Sequence, residues 1–502
     1  MAFPSLADRT AGVLLHATSL PGPHGSGDLG RAAHAFADWV ARSRLRIWQM
    51  LPIGPAGYGN SPYSAHSSFA GSPMLVSLEA LVEDGLLAAA DLPRASSGRI
   101  DWGAVAPARE QALRRAFTAF VKRPARARSR LDAFARRARP WLADWALYAA
   151  LKRAYGDGPW IDWPGPVRAR KPAALAEARR KLTEEIRFHV FCQWRFHEDW
   201  VRLRAHAQDR GVALVGDVPI VVAHDSADVW AHRELFRLDV DGQPTHVAGV
   251  PPDYFSTTGQ RWGNPLYRWP RLRRTSYRWW IDRLAMALSR FDAVRLDHFI
   301  GFQRFWEIPA SEPTAQNGRW KPGPGAHFFA AVRRKLGGKL PLIAEDLGAV
   351  TPAVKALRDR FELPGTRLLQ FAFGTDPSSA DFLPHAYPHR TVVYTGTHDN
   401  DTTVGWYRHV SEGERAAARR YLAVDGKDIA WDFIRAIFAS VANQAIVPMQ
   451  DFLGLGTDAR MNLPGTVQGN WEWRLPDGDA SEALAAKIAD LTQIYGRDWK
   501  QP

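Results

Sequence analysis

The sequence predicts an α/β protein, a (β/α)₈ TIM barrel with large insertions after the second and third strands. Eight short apolar runs rich in β-branched residues recur along the chain. From the third onward most are followed by a helix-like stretch, the alternation of parallel βαβ units. Several end in an acidic residue, for which a packed strand has no use. In a parallel barrel the C-terminal ends of all strands converge on one face, so acids distant in sequence are expected to meet there. A bare barrel takes roughly 250 residues, and a single elaborated barrel spanning 1–502 accounts for the longer chain.

Runs at 12–16 and 46–53 open the series. The next stretch, of about 160 residues, is too long for a loop and carries amphipathic helical pattern at 103–121, 142–155 and 173–208. Residues 80–205 are therefore expected to form a mainly helical subdomain inserted on the catalytic face. The third run, 212–220, leads into a second insertion, 230–274, dense in Gly, Pro, Trp and Tyr, which reads as a substrate-binding loop rather than a scaffold. Runs at 292–296, 340–345, 366–373, 391–397 and 445–451 complete the eight, with helix-like stretches at 352–361 and 413–421 after the fifth and seventh. Asp217, Asp297, Glu345, Asp399 and Asp451 stand at or just beyond strand ends.

Composition removes several function classes. The formal charge of +13 permits attraction to nucleic acid. The basic residues, however, gather in Ala/Arg-rich stretches such as 108–139 and 169–181, where arginine supplies helix propensity and a solvated face, so no nucleic-acid partner is expected. Cys192 is the only cysteine, which excludes an intrachain disulfide and a cysteine-based metal site. The N-terminus mixes acidic and basic residues without a cleavage pattern, and no apolar run reaches the roughly 18 residues of a spanning helix. No membrane association and a cytoplasmic location are expected. The 21 tryptophans favour a carbohydrate site mildly, since a flat indole suits the apolar face of a sugar as well as a core.

Metal and nucleotide motifs are weak. His385 and His389 flank Pro388 and do not share a helix face, and no phosphate loop occurs. Gly25-Ser-Gly-Asp-Leu-Gly30 fits G-x-G-x-x-G, but a dinucleotide site also needs a helix opening at that turn and an acid closing the second strand. The second run instead ends at Pro52-Ile-Gly-Pro55, so the glycines read as a tight loop at the barrel mouth.

Chemistry concentrates in three segments. In Phe291-Asp-Ala-Val-Arg-Leu-Asp-His-Phe299, Arg295 and Asp297 lie two apart and share a strand face, so the guanidinium can hold the carboxylate ionised and oriented as a nucleophile needs. In Leu342-Ile-Ala-Glu-Asp-Leu-Gly348, Glu345 emerges from an apolar strand where burial can raise its pKa to that of a general acid, whereas Asp346 suits a loop start or a helix cap. In Tyr394-Thr-Gly-Thr-His-Asp-Asn-Asp401, His398 and Asp399 offer a donor and an acceptor for adjacent sugar hydroxyls. Alone, each would read as a salt bridge, a cap or a turn. Tyr58-Gly-Asn-Ser-Pro-Tyr63 and 249–267, with Tyr254, Phe255, Gln260, Trp262, Asn264 and Tyr267, combine amides and aromatics into candidate sugar-binding surface, each in isolation also compatible with a self-packed Ω-loop.

Taken in order, nine motifs make the chain resemble the 4-α-glucanotransferases of glycoside hydrolase family 77 (amylomaltases or disproportionating enzymes), in the α-amylase clan. They are Gly59-Asn-Ser-Pro-Tyr63, Gly216-Asp-Val-Pro-Ile220, Asp225-Ser-Ala-Asp-Val-Trp230, Ala248-Gly-Val-Pro-Pro-Asp-Tyr254, Trp262-Gly-Asn-Pro-Leu-Tyr267, Arg295-Leu-Asp-His298, Ala344-Glu-Asp-Leu-Gly348, Thr397-His-Asp-Asn400 and Pro464-Gly-Thr-x-x-Gly-Asn-Trp471. The resemblance implies a retaining transferase that moves a segment of an α-1,4-glucan donor to glucose or a maltodextrin through a covalent glycosyl-aspartate. Asp297 would be the nucleophile, Glu345 the general acid and Asp399 the transition-state stabiliser. Arg295 would orient the nucleophile, His398 would bind sugar hydroxyls, and Tyr63, Asp217, Gln260, Trp262 and Asn264 would line subsites. It also implies no cofactor, no metal and no C-terminal β-sandwich, in keeping with about 50 residues after the eighth run. The clan commonly carries a histidine shortly after the acid corresponding to Asp217, and Asp217-Val-Pro-Ile-Val-Val222 lacks it, as is usual in family 77. The alternatives are an α-glucan hydrolase of the same clan, in which water is the acceptor, and a non-catalytic glucan-binding protein.

Overall fold

The computed structural model describes residues 5–94, 98–252 and 256–498. Eight parallel strands form the barrel: β1 (Thr10–Leu14), β2 (Ile47–Gln49), β3 (Ala213–Val218), β4 (Ala293–Leu296), β5 (Leu342–Ala344), β6 (Gly365–Leu368), β7 (Thr391–Tyr394) and β8 (Gln444–Pro448). Consecutive strands pair from β1 to β5 and from β6 to β8, and β8 pairs with β1 through Thr10↔Gln444 to Leu14↔Pro448. The ring closes between β5 and β6, where the Ala344 N–H donates to Pro364 O at 2.8 Å and the Thr366 hydroxyl donates to Ala344 O at 3.1 Å. All eight strands are buried along their length, as an inner sheet wrapped by helices must be.

The strands are shorter than the apolar runs that mark them. The run at 46–53 gives only Ile47–Gln49, and that at 366–373 leaves the sheet after Leu368 for a 3₁₀ turn, Leu369–Phe373. Apolarity persists past the last pair because the chain still lies beneath the loops of the mouth, where Leu51, Ile53 and Phe373 stay buried. A helix, Arg31–Arg42, does open directly after Gly30, but β1 lies between β8 and β2 in a closed barrel rather than in an open dinucleotide-binding sheet. Asp28 of that turn is committed to the Gly30 N–H (2.9 Å) and to Arg109 (3.0 Å).

Between β2 and β3 the main helices are Trp102–Val121, Ala125–Ala154, Pro172–Lys181 and Thr183–Asp209. The last of these does two jobs. Its first half packs on the insertion, with Phe188 edge-on to Phe117 at 5.8 Å, and its second half is a barrel helix, with Trp200 edge-on to Phe291 at 5.0 Å. Phe291 in turn explains a glycine: a Cβ on Gly216 would sit 2.3 Å from its ring, so β3 can pass here only without a side chain.

Part of the second insertion departs from the loop expected. His246–Val250 and Gln260–Pro265 are strands of a four-stranded antiparallel sheet completed by Arg304–Pro309 and Arg319–Pro322, which belong to the connection after β4. His246–Val250 pairs on both edges, with Gln260–Pro265 and with Arg304–Pro309. Tyr254 and Phe255 lie outside the described residues. Most tryptophans serve the core, Trp39, Trp48, Trp160, Trp230 and Trp280 being fully buried. No helix among the described residues is long and apolar enough to cross a membrane.

Candidate active site

Strand alternation and register assemble the centre. Asp217 on β3 pairs directly with Arg295 on β4, so their side chains project from the same face, and Asp297 follows two residues on. The ladder continues past the strand ends: the Asp297 N–H donates to Val218 O and the Glu345 N–H to Leu296 O, both at 3.1 Å. One guanidinium therefore faces three carboxyl groups. Arg295 Nη1 donates to Asp217 Oδ2 at 2.5 Å and to Asp297 Oδ1 at 3.2 Å, and its Nη2 lies 3.7 Å from Glu345 Oε1. Burial works to strip Arg295 of its charge, but Asp217, Glu345, Tyr63 and Asp297 outweigh it and hold its pKa above the usual value. Asp217 also accepts from the Tyr63 hydroxyl at 2.8 Å.

Glu345 and Asp399 are driven in opposite directions. Desolvation pushes the Glu345 pKa up to about 8; Arg295 and the bond from the His298 N–H oppose this, while Asp297 and Asp217 add to it. The His298 amide donates to Glu345 Oε2 at 2.6 Å, and His298 itself adopts the left-handed conformation (φ 49°), a local strain of about 1 kcal/mol for a non-glycine residue. Burial alone would raise the Asp399 pKa as well. There His398, by charge and hydrogen bond, and Asn462 prevail and hold it well below the ordinary carboxylate range. Asp399 Oδ1 accepts from Asn462 Nδ2 at 2.6 Å and lies 3.3 Å from His398 Nε2. The His398 ring stacks on Tyr63 (5.0 Å, 13°), which links the Asp399 side of the mouth to Asp217. The result is one acid kept neutral near pH 7, one kept ionised, and a third carboxyl group, Asp297, oriented by an arginine. A neutral acid beside an oriented carboxyl group is a pair able to do acid–base and nucleophilic chemistry.

A sequence model of the family described as 4-alpha-glucanotransferase matches residues 15–480. The chain belongs to that family. It is 50% identical over 498 residues to the 4-alpha-glucanotransferase of Thermus thermophilus, covering 97% of this chain and 99% of the relative. It is 45% identical to that of Synechocystis sp. over 499 residues, covering 98% and 99%. Among solved structures, amylomaltase from Streptococcus agalactiae in complex with acarbose superposes with a TM-score of 0.94 at 36% identity, over 97% of this chain and 99% of that one. The protein is thus a 4-α-glucanotransferase, a glycosyltransferase acting on α-1,4-glucans.

The remaining expected residues lie at graded distances from this glucanotransferase centre. The Trp262 ring stands edge-on to His298 (4.9 Å, 87°), and its Nε1 donates to Gln260 Oε1 at 3.1 Å, so both adjoin the turn between Asp297 and Glu345. Asn264 is tied by Nδ2 to Val222 O at 2.9 Å, in the loop after β3, and makes no hydrogen bond to a carboxylate among the described residues. Asp346 is structural, buried against Arg358 (2.5 Å) and the Thr366 N–H (2.8 Å). So is Asp451, which accepts from the Thr395 hydroxyl (2.5 Å) and from the Thr403 N–H and hydroxyl (2.7 Å each).

Several neighbours of the carboxylates were not foreseen. Asn462 and Arg460, which donates to Asp399 O at 2.6 Å, sit in an irregular stretch without periodicity to flag them. His16 lies two residues past the end of β1; burial and the charge of His398 push its pKa down to about 3, so it is a neutral wall of the mouth. Beside it a cleft of about 700 Å³ extends beneath the helical insertion, with Tyr58, Asn60, Trp102 and Trp471 among its walls. Among the described residues no group of three or more His, Cys, Asp or Glu is arranged to hold a metal ion.

Proposed function

We propose that transfer proceeds by retaining double displacement with Asp297 as nucleophile, Glu345 as general acid and then base, and Asp399 as the stabiliser of the oxocarbenium-like transition state. The observation that carries this is Arg295, whose single guanidinium engages Asp297 and also lies within 3.7 Å of a Glu345 held neutral by burial. Two carboxyl groups sharing one guanidinium suit the roughly 5 Å separation of retaining enzymes, which leaves no place for an attacking water between them. Asp297 attacks the anomeric carbon as Glu345 protonates the departing glycosidic oxygen. Glu345, now ionised, then takes the proton of the incoming 4-hydroxyl as that oxygen displaces Asp297. Asp399, paired with His398, grips hydroxyls of the distorted sugar.

The acceptor is glucose or a maltodextrin. Trp262 stands edge-on to His298 with Gln260 accepting from its indole N–H, and there the pair exclude water from the covalent intermediate and hold an acceptor ring. Tyr63, Asp217 and Asn264 line the subsites around them. The proposed location is the cytoplasm, which the single cysteine suits because no disulfide calls for an oxidising compartment. The deciding experiment is incubation with maltotriose, followed by chromatography, with Asp297→Asn as control. Glucose together with a ladder of longer maltodextrins, absent in the variant, is the expected result. Undiminished transfer by Asp297→Asn would remove Asp297 from the nucleophile's role.

A further inference from the structure

On the second insertion, away from the carboxylates, Arg233, Arg237, Arg268, Arg271 and Arg274 line one open groove of about 660 Å³. Its other walls include Leu238, Pro270, Glu234 and Asp239, so guanidinium groups outnumber the lining carboxylates by three. The two acids differ, Asp239 being turned into its own loop and Glu234 standing half-exposed at the edge. The Asp239 Oδ1 accepts from the main-chain N–H groups of Gly242 and Gln243, both at 2.8 Å, and Glu234 stands 3.9 Å from His232. Beneath the groove the fully buried Glu307 pairs with Arg237 and is shared with Arg319 at 2.9 Å.

The arginines are held in two ways. Arg268 donates to Phe236 O (2.6 Å) and Leu238 O (2.9 Å), and Arg233 to Val240 O (3.0 Å). These bonds fix the guanidinium groups in place while leaving their charge uncompensated. Arg271 and Arg274 are exposed and form no ion pair among the described residues. Positioned guanidinium forks beside free ones, with low-dielectric walls from Leu238 and Pro270, make a receptor for a compact, doubly charged oxyanion. Planar N–H pairs match phosphate oxygens, and apolar walls focus the field.

We propose that this groove is a phosphate-binding site, taking either the free ion or the phosphate monoester of a sugar, for which its volume suffices. Arg268 and Arg233 seat the anion, and Arg271 and Arg274 close on it. The site lies outside the catalytic cleft and does not depend on the roles given to the carboxylates. Its ligand would act on transfer through continuity, since Arg268 follows the strand Gln260–Pro265 that carries Trp262 by three residues.

The test is isothermal titration calorimetry of the intact protein at about 0.15 M salt, where exposed charges separated by more than a Debye length of about 8 Å are screened. The probes are inorganic phosphate and glucose 6-phosphate. Saturable binding is expected, weakened about tenfold or more in Arg271→Gln/Arg274→Gln and unchanged in the charge-matched pair Arg136→Gln/Arg137→Gln on the helical insertion. Tighter glucose 6-phosphate than phosphate would identify a monoester site; equal affinities would identify the free ion. A second readout in the wild type is protection of Arg271 and Arg274 from phenylglyoxal by phosphate, followed by mass spectrometry. No saturable binding, equal weakening in both variant pairs, or no protection overturns the proposal.

Discussion

Replacing Glu345 by glutamine removes the titration of an acid that burial raises to about 8 while keeping an oxygen for the His298 N–H. The folded protein binds the Glu345 proton more tightly than the unfolded chain does, with the pKa moved from 4.5 to about 8. Below pH 4.5 both states are protonated and glutamine imitates the acid well. As pH rises the unfolded wild type is stabilised by ionising Glu345 and the folded state is not, so the wild type loses stability relative to the variant until pH passes about 8, where the difference levels off. At about 1.4 kcal/mol for each tenfold change in proton affinity, the plateau is at most about 5 kcal/mol. Urea unfolding of both proteins from pH 4 to 9 measures it. The variant should be inactive at every pH and progressively the more stable above pH 4.5. The reasoning is refuted if the stability difference is flat across that range. The same shift predicts that wild-type kcat/KM falls as pH rises through about 8, because the first displacement needs protonated Glu345.

Other perturbations test neighbouring parts of the arrangement. Asn462→Ala removes the 2.6 Å donor to Asp399, which should let the Asp399 pKa rise, lower kcat/KM about tenfold or more and move the acidic limb of the pH–rate profile upward. Trp262→Ala, which exposes His298, should depress transfer more than hydrolysis; chromatography beside a reducing-end assay gives the ratio, and an unchanged ratio counts against the water-exclusion role. Asp451→Asn should cost about 1–3 kcal/mol of stability in denaturant unfolding, since it disturbs three buried bonds to Thr395 and Thr403, yet leave kcat of the folded enzyme intact.

What could be read from the sequence follows from what is local. Arg295, Asp297 and Glu345 announce themselves because a two-residue period and an abrupt polar end to an apolar run are properties of one segment. Asp451 looks the same in sequence and serves only the core; nothing local distinguishes a strand-end acid that faces the mouth from one that ties two loops together. The partnership of Tyr63 with Asp217 spans 154 residues and exists only once the barrel closes. The strands within 230–274 were hidden for a related reason. His246–Val250 includes glycine and histidine, and what makes it a strand is a partner that arrives after β4, at Arg304–Pro309. Asn462 and Arg460 belong to no periodic element, so only the fold shows that they face Asp399.

That four-stranded sheet also sets the unit in which members of the family can exchange parts. Its strands come from two separate connections, one before and one after β4, and His246–Val250 is bonded on either edge to one of each. A chimera that imported 230–274 alone would set foreign side chains against the native Arg304–Pro309 and the Glu307 pairs beneath them, with no guarantee of register. Importing 304–322 as well carries the whole ladder across intact. Recombination between relatives should therefore yield active enzymes when both segments share a parent and poorly folded ones when they do not, however similar the barrels are.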